Sequence, residues 1–266
     1  MKTLTRAGAM QMLNKVPEVT IYFWIIKIMA TTVGETAADF LNSDMHLGLT
    51  GTSVVMGALL AVFLFVQMRA QKYVPWLYWV VVVLISIVGT LITDNLVDNF
   101  GVALETTTIA FGLALAATFA IWYASEKTLS IHAIITTKRE GYYWAAILFT
   151  FALGTAAGDL AAEGLKLGYG NSVLVFGALI AVTTVAYYAF KANAVLAFWI
   201  AYILTRPLGA SLGDSLSQPV ADGGIGVGAT VTSAIFLATI LSLVIYLSVT
   251  RKDMIEQPAN ETDELA

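Results

Sequence analysis

The chain has no cysteine, few histidines and little charge, and each shortage removes a class of function. Without cysteine there is no disulfide framework, thiolate metal site or cysteine nucleophile. The only histidines are His46 and His132, too few for the histidine clusters of a catalytic zinc site. Charged residues make up 12% of the 266 positions, against about 25% in a soluble domain. Because 58% of the chain is hydrophobic, the composition indicates lipid as the solvent.

Other classes are excluded by motifs that the sequence does not contain. A Walker motif is missing, which excludes an ATP-driven pump within this chain. No pair of nucleophile and base is visible, so we predict neither an enzyme nor a cofactor. The mild net charge of -4 argues against a nucleic-acid partner. The polar and basic stretch from Met1 to Lys15 predicts a cytoplasmic tail rather than a signal peptide.

One pattern occurs four times without a gap: an aromatic residue, a tryptophan, nine residues, a glycine, four residues and an aspartate. The repeated positions are Trp24, Trp79, Trp144 and Trp199; Gly34, Gly89, Gly154 and Gly209; and Asp39, Asp94, Asp159 and Asp214. The tryptophans are separated by 55, 65 and 55 residues (24 to 79, 79 to 144, 144 to 199). This spacing predicts four tandem units, paired into two halves.

The arrangement resembles a bacterial membrane-protein family defined by four tandem repeats of unknown function. In that family each repeat has two transmembrane segments and a characteristic tryptophan. The resemblance covers about residues 15 to 250, and the stretch from Lys15 to Trp24 is its most specific part. It implies an architecture and no established activity.

Eight stretches are long and apolar enough to be read as membrane-spanning helices of about 20 residues. They lie near 18-41, 46-68, 74-97, 101-124, 142-163, 169-190, 193-216 and 224-249. The predicted fold is therefore an all-α integral membrane protein of eight transmembrane helices, built from four two-helix repeats in two pseudo-symmetric halves. Its predicted divisions are a tail (1-16), repeats 1 and 2 (17-125), a cytoplasmic loop (126-141), repeats 3 and 4 (142-250) and an acidic, disordered tail (251-266).

The distribution of basic residues predicts the orientation in a bacterial inner membrane. One side carries eleven of the fourteen: Lys2, Arg6, Lys15, Arg69, Lys72, Lys127, Lys138, Arg139, Lys191, Arg251 and Lys252. The opposite loops carry only Lys166. Both termini are therefore expected in the cytoplasm. The bilayer is the expected partner, and a homo-oligomer stays open.

The four repeat aspartates are the leading candidate site. All four motif helices run the same way, and each aspartate follows its tryptophan by a rise of about 22 Å, toward the outer face. The negative helix C-terminus disfavours a carboxylate there, yet all four units carry one. We expect either polar helix ends facing water or an outward-facing cavity that holds a hard cation, including a metal ion, or exchanges protons.

The other repeated residues have structural and functional interpretations. A glycine followed four residues later by a small residue lets helix backbones approach closely in lipid, so the glycines predict packing elements, with hinges as the alternative. The tryptophans suit the aromatic belt at the inner membrane interface. A cytoplasmic gate or a packing anchor is the alternative for them.

Four further charged residues complete the predicted pathway, and two of them, Lys27 and Arg206, are unique among the repeats. Lys27 and Arg206 lie within predicted spans, where an unpaired cation is costly. Glu35 is the nearest candidate partner of Lys27 on the same helix, and Glu105 opens helix four on the outer side. Each of these two cations is expected to form a structural ion pair with an acidic side chain. The alternatives are that it replaces the transported cation in one state or binds an anionic substrate group.

These residues predict a secondary transporter of a small cation, for which a divalent metal such as manganese is one candidate, with proton coupling. Manganese follows from ligand hardness, since oxygen donors without cysteine or clustered histidine suit hard cations. The alternatives are a cation channel, with four aspartates around a pore, and an exporter of a small organic solute.

Overall fold

The computed structural model describes residues 14–254, and this part of the chain contains eight long helices and no strand. The helices are α1 (Ile21–Asp39), α2 (Gly48–Arg69), α3 (Pro75–Asp94), α4 (Leu104–Glu126), α5 (Thr137–Asp159), α6 (Tyr169–Phe190), α7 (Ala194–Ser217) and α8 (Ala229–Thr250). Three π-helical turns extend α1, α3 and α5 at their ends: Phe40–Asp44, Asn95–Asn99 and Leu160–Gly164. The odd-numbered helices carry the repeat motif and are called the inner helices; the even-numbered ones are the outer helices.

Local signals explain where the inner helices begin. The side chains of Thr20, Thr136 and Asn193 accept hydrogen bonds from backbone N–H groups in the first turns of α1, α5 and α7. Pro75 opens α3, where its missing N–H leaves no hydrogen bond unmade. The outer helices end at or next to basic residues, whose positive charge suits the negative end of a helix. These residues are Arg69, Lys127, Lys191 and Arg251.

Seven of the eight helices are long and apolar enough to cross a membrane, which is typical of a multi-pass membrane protein. The exception is α1, whose apolar run is interrupted by Lys27 and Glu35. The outer helices expose apolar side chains: Leu174, Val182 and Phe190 on α6 are 70%, 65% and 80% exposed. Such faces suit contact with lipid rather than water.

The inner helices pack in a closed cycle, in which α1 contacts α3, α3 contacts α5, α5 contacts α7 and α7 returns to α1. Each outer helix packs against the inner helix of the next repeat: α2 on α3, α4 on α5, α6 on α7, and α8 on α1. Within the described chain, no two-helix repeat therefore packs only with itself. The core lies between the inner helices.

The repeat glycines lie at the contacts of this cycle. A Cβ on Gly89 would lie 2.6 Å from the Cβ of Phe151, and one on Gly34 would overlap Ser86. Gly154 faces Arg206 in the same way, and Gly209 faces Thr31. In every case the facing residue lies three positions before the repeat glycine of the neighbouring helix. The small residue at each site lets two backbones approach at these contacts.

Some boundaries differ from the sequence-based expectation. Helix α5 begins at Thr137 instead of near 142, because Thr136 caps it and Glu140 is held inside the protein. Asp253, expected within a disordered tail, is buried and accepts a hydrogen bond from Tyr73. Lys15, expected in the N-terminal tail, is also buried. Residues 1–13, with Lys2 and Arg6, and residues 255–266 lie outside the described part of the chain.

Candidate functional site

A single column of positions on the inner helices lines the axis of the bundle. The positions recur every four residues, at eleven, seven and three before the repeat glycine and at one and five after it. From one end to the other the layers are Phe23, Tyr78, Tyr143 and Phe198; Lys27, Val82, Ile147 and Tyr202; Thr31, Ser86, Phe151 and Arg206; Glu35, Thr90, Thr155 and Ala210; and Asp39, Asp94, Asp159 and Asp214. Sixteen of these twenty side chains are buried, and Asp39, Asp94, Asp159 and Phe198 are half-buried. We call the two ends of the bundle the tryptophan end and the aspartate end.

The repeat aspartates converge at the aspartate end, where they line one cavity of about 160 Å³, here called the acidic cavity. Three further carboxylates, Glu35, Asp98 and Glu163, line the same space. Three of the aspartates lie where an α-helix passes into a π-helical turn. Such turns are frequent at functional sites because they re-aim side chains. The convergence turns four separate helix ends into one acidic site.

Three carboxylates approach one another closely enough to share an ion. One oxygen each of Glu35, Asp159 and Asp214 lies within 4.8 Å of the others. Oxygen donors at this spacing suit a hard cation, with water completing its coordination. Without a cation, like charges this close repel one another, so these residues favour binding of a cation.

Arg206 contacts Glu35, one of the carboxylates that line this cavity. Its guanidinium is fully buried and forms an ion pair with Glu35, with 2.9 Å between Nη2 and Oε2. The same Nη2 donates to the hydroxyl of Thr155 at 2.6 Å and contacts that of Thr90, and Nη1 donates to the carbonyl of Thr31 at 3.3 Å. The positive charge therefore sits among four oxygens from three helices.

Lys27 lies one layer further toward the tryptophan end. Its Nζ is fully buried and stands 4.3 Å and 4.2 Å from the ring centroids of Phe151 and Tyr202. Among the described residues it has no hydrogen-bond partner. The sequence-based pairing of Lys27 with Glu35 is therefore wrong: Glu35 pairs with Arg206, whose helix packs directly against α1.

Aromatic side chains fill the axis at the tryptophan end. The hydroxyls of Tyr78 and Tyr143 share a hydrogen bond of 2.5 Å, and the rings of Phe23 and Phe198 lie 6.0 Å apart. Tyr202 packs beside Phe198. We call these five residues the aromatic plug, because they separate the acidic cavity from the opposite face of the bundle.

Two polar contacts hold segments together at the tryptophan end. The Nζ of Lys15 forms a buried ion pair of 2.6 Å with Glu140 and also donates to the carbonyl of Met68. Tyr73 donates to Asp253 at 2.5 Å. Burial raises the pKa of both Tyr73 and Asp253 above their ordinary values. These contacts tie the segments before α1 and after α8 to the rest of the bundle.

The tryptophans lie mostly inside helix contacts. Trp79, Trp144 and Trp199 are buried, and Trp24 is half-buried. The indole N–H of Trp199 donates to the carbonyl of Leu129 at 2.9 Å. This placement gives three of them a packing environment rather than a lipid-facing one.

Among the other predicted residues, Glu105 is exposed in the first turn of α4 and does not line the acidic cavity. Asp98, Glu163 and Gln218 line this cavity and were not among the site residues predicted from the sequence. All three follow a repeat aspartate by four positions. Extending the four-residue column by one step would have found them.

A second cavity of about 630 Å³ is a largely apolar groove outside the α1–α7 contact. Trp24 and Ile28 of α1 line one wall, and Phe198 and Thr205 of α7 line another. None of the carboxylates of the acidic cavity lines it. It is therefore a feature of the lateral surface rather than part of the acidic site.

A comparison with protein families agrees with the repeat. A family model described as "Repeat of Unknown Function (DUF347)" matches residues 22–73, 77–128, 142–193 and 197–253. Each match covers nearly all of one inner helix together with the outer helix that follows it. Neither a curated protein nor a solved structure matches the chain significantly. The description names no activity, so function has to be argued from the site.

Proposed function

The chain belongs to the family of the Repeat of Unknown Function, DUF347, and from that premise and the acidic cavity we propose that it is a secondary membrane transporter of a small cation. The observation that carries the proposal is the convergence of the four repeat aspartates into one cavity. A carboxylate within a membrane protein is costly unless a partner compensates its charge. A bound cation is the compensation that this cluster accommodates.

The size and chemistry of the cavity favour an inorganic ion. Its volume of about 160 Å³ is below the range of about 300–1,000 Å³ typical of pockets for organic ligands. Its closest ligand atoms are the oxygens of Glu35, Asp159 and Asp214, which suit hard cations, a divalent metal such as manganese among them. The exporter of an organic solute is the weaker candidate for the same reason.

The layers beneath the cavity favour a carrier over an open pore. Arg206, Lys27 and the aromatic plug occupy the axis between the cavity and the tryptophan end. A cation passing through would meet the positive charge of Arg206 and then closed aromatic packing. Transport therefore requires these layers to rearrange, as in alternating access. Proton coupling follows if a proton replaces the cation on the same carboxylates.

We also propose that α1 is the eighth membrane span and that the repeats form two pseudo-symmetric halves. Helix α1 packs against α3, α7 and α8, so its charged residues face protein instead of lipid. Eight spans return both ends of the chain to one side. The basic ends of the four outer helices favour the cytoplasm for that side, in a bacterial inner membrane.

A cation channel is the second candidate, favoured by the arrangement of four aspartates around one axis. Flux through purified protein in liposomes separates the two. The flux through a carrier saturates with cation concentration and changes with a proton gradient. The flux through a channel does not depend on a proton gradient.

Substitution of the aspartates tests the site in the same liposomes. Asp159→Asn and Asp214→Asn are each expected to lower the affinity for the transported cation by about tenfold or more, measured with Mn²⁺, Mg²⁺, Ca²⁺, Na⁺ and K⁺ in turn. Asp222→Asn is the matched control, because Asp222 is exposed and does not line the cavity. The proposal fails if the wild-type protein moves none of these ions, or if all four repeat aspartates can be replaced by Asn without loss.

A further inference from the structure

The oxygens around Arg206 form a binding site in their own right. The residue directly after the repeat glycine is Glu35 in α1, Thr90 in α3 and Thr155 in α5, and all three side chains meet the Arg206 guanidinium. The carbonyl of Thr31 adds a fourth oxygen. We call these four groups the oxygen ring. One carboxylate, two hydroxyls and one carbonyl are the donor types that bind alkali cations as well as guanidinium.

The fourth repeat explains how Arg206 reaches the ring. At the position of Glu35, Thr90 and Thr155 it carries Ala210, which offers no oxygen. Arg206 stands one turn earlier on the same helix, so its long side chain extends past Ala210 into the gap. Three repeats therefore supply ligands, and the fourth supplies the cation.

We propose that the oxygen ring is a second, inner cation site, which the Arg206 guanidinium occupies in this conformation and which a small monovalent cation occupies when the guanidinium withdraws. The proposal rests on the proposed transport function. Glu35 lines the acidic cavity and also belongs to the ring. A cation can therefore pass from one site to the other without leaving its carboxylate.

The charge of the site selects a monovalent ion. The oxygen ring itself has one carboxylate, Glu35, which is paired with the single positive charge of Arg206 and also lies near Asp159 and Asp214. In a buried site a net charge is expensive. Exchange of the guanidinium for an ion of the same single positive charge leaves the net charge of the site unchanged, whereas a divalent ion adds one charge.

Unmade hydrogen bonds favour exchange over a permanent structural ion pair. The Nε of Arg206 is buried without an acceptor, and the buried hydroxyl of Ser86, in the same layer, has no partner among the described residues. A fixed buried pair is expected to satisfy its remaining donors, because each unmade bond is costly. The oxygen ring contacts only the terminal Nη1 and Nη2 atoms of the guanidinium.

The test measures cation-dependent stabilisation of the purified full-length protein in detergent. The probes are Na⁺, K⁺ and methylguanidinium, with choline at equal ionic strength as the reference, and the readout is the shift in Tm, from which Kd is derived. Arg206→Ala empties the ring. We expect it to bind methylguanidinium and Na⁺ or K⁺ about tenfold more tightly than the wild type, which corresponds to about 1.4 kcal/mol.

A second substitution locates the gained site. In the double variant Arg206→Ala with Glu35→Gln the gain is expected to disappear, because the ring then has no charge. Arg206→Gln serves if Arg206→Ala does not fold, since glutamine keeps part of the side-chain volume and leaves Glu35 without a cation. The inference is overturned if neither variant gains monovalent binding, or if the gain persists without Glu35.

The outcomes separate this inference from the transport proposal. If wild-type protein binds a cation that depends on Asp159 and Asp214 while the Arg206 variants gain nothing, the transporter stands and the inner site falls. If wild type binds and moves no cation while Arg206→Ala gains a Glu35-dependent site, the inner site stands and the transport proposal falls.

Discussion

The two ends of the inner helices use the same column of positions for opposite purposes. At the tryptophan end the column holds aromatic rings in close contact, and nearby polar groups such as Lys15 and Glu140 are paired. At the aspartate end it holds carboxylates that face one another across a cavity. At the tryptophan end, here called the closed end, the charges of Lys15 and Glu140 neutralise each other, whereas the aspartate end, here called the open end, keeps like charges together. Stability is therefore concentrated at one end and binding capacity at the other.

The largest expected loss of stability comes from a substitution at the closed end. Glu140→Gln removes the carboxylate that pairs with Lys15 and leaves a buried ammonium uncompensated, which typically costs about 3–5 kcal/mol. We expect a corresponding loss of stability in thermal or denaturant unfolding of the protein in detergent. Glu18→Gln is the control, because its pair with His132 is partly exposed and contributes about 0–1 kcal/mol. Equal effects of the two substitutions would remove the distinction between the closed end and the surface.

A smaller loss is expected at the middle of the column, where the two ends join. Gly89→Ala places a Cβ 2.6 Å from the Cβ of Phe151 and 3.2 Å from the backbone nitrogen of Ala152, so the α3–α5 contact has to open. We expect a destabilisation of about 1–3 kcal/mol. Gly57→Ala on α2 meets nothing within 4 Å and is expected to be neutral or stabilising by up to about 1 kcal/mol. Similar unfolding curves for both variants would contradict the role of the repeat glycines.

The smallest effect has the opposite sign and concerns the open end. Asp159→Asn removes one of three neighbouring carboxylates and is expected to stabilise the cation-free protein by about 1 kcal/mol, while it weakens cation binding. Unfolding in the presence of a chelator measures the stability of the cation-free protein. The same measurement with cation shows how much the bound cation stabilises it. A destabilised cation-free variant would mean that the carboxylate is held by structural contacts, and the contrast between the ends would disappear.

The repeat let the sequence predict much of this arrangement. The family, the all-helical fold and the inner helices follow from four copies of a tryptophan, a glycine and an aspartate in one register. The glycine contacts were expected as packing elements for a physical reason, since only a small residue permits close backbones. Positions that recur at the same spacing along each inner helix form equivalent contacts between neighbouring helices.

The pairing of charged side chains could not be predicted in the same way. Glu35 was matched with Lys27, eight residues away on the same helix, whereas its partner Arg206 is 171 residues distant. The choice depends on which helix packs beside α1 and how each is rotated, and neither follows from periodicity. Lys15 and Asp253 were read as tail residues for a related reason: their burial comes from partners in distant segments, Glu140 and Tyr73.

The cyclic packing of the inner helices also has a consequence for biosynthesis. Helix α1 is made first, but the contact that completes the cycle joins it to α7, through residues such as Thr31 and Thr205 that are 174 positions apart. Until the ribosome has produced Arg206, Glu35 has no guanidinium to pair with. The helix whose apolar run is interrupted by Lys27 and Glu35 must therefore wait for one of the last helices, and closure of the α1–α7 contact is a late step of assembly.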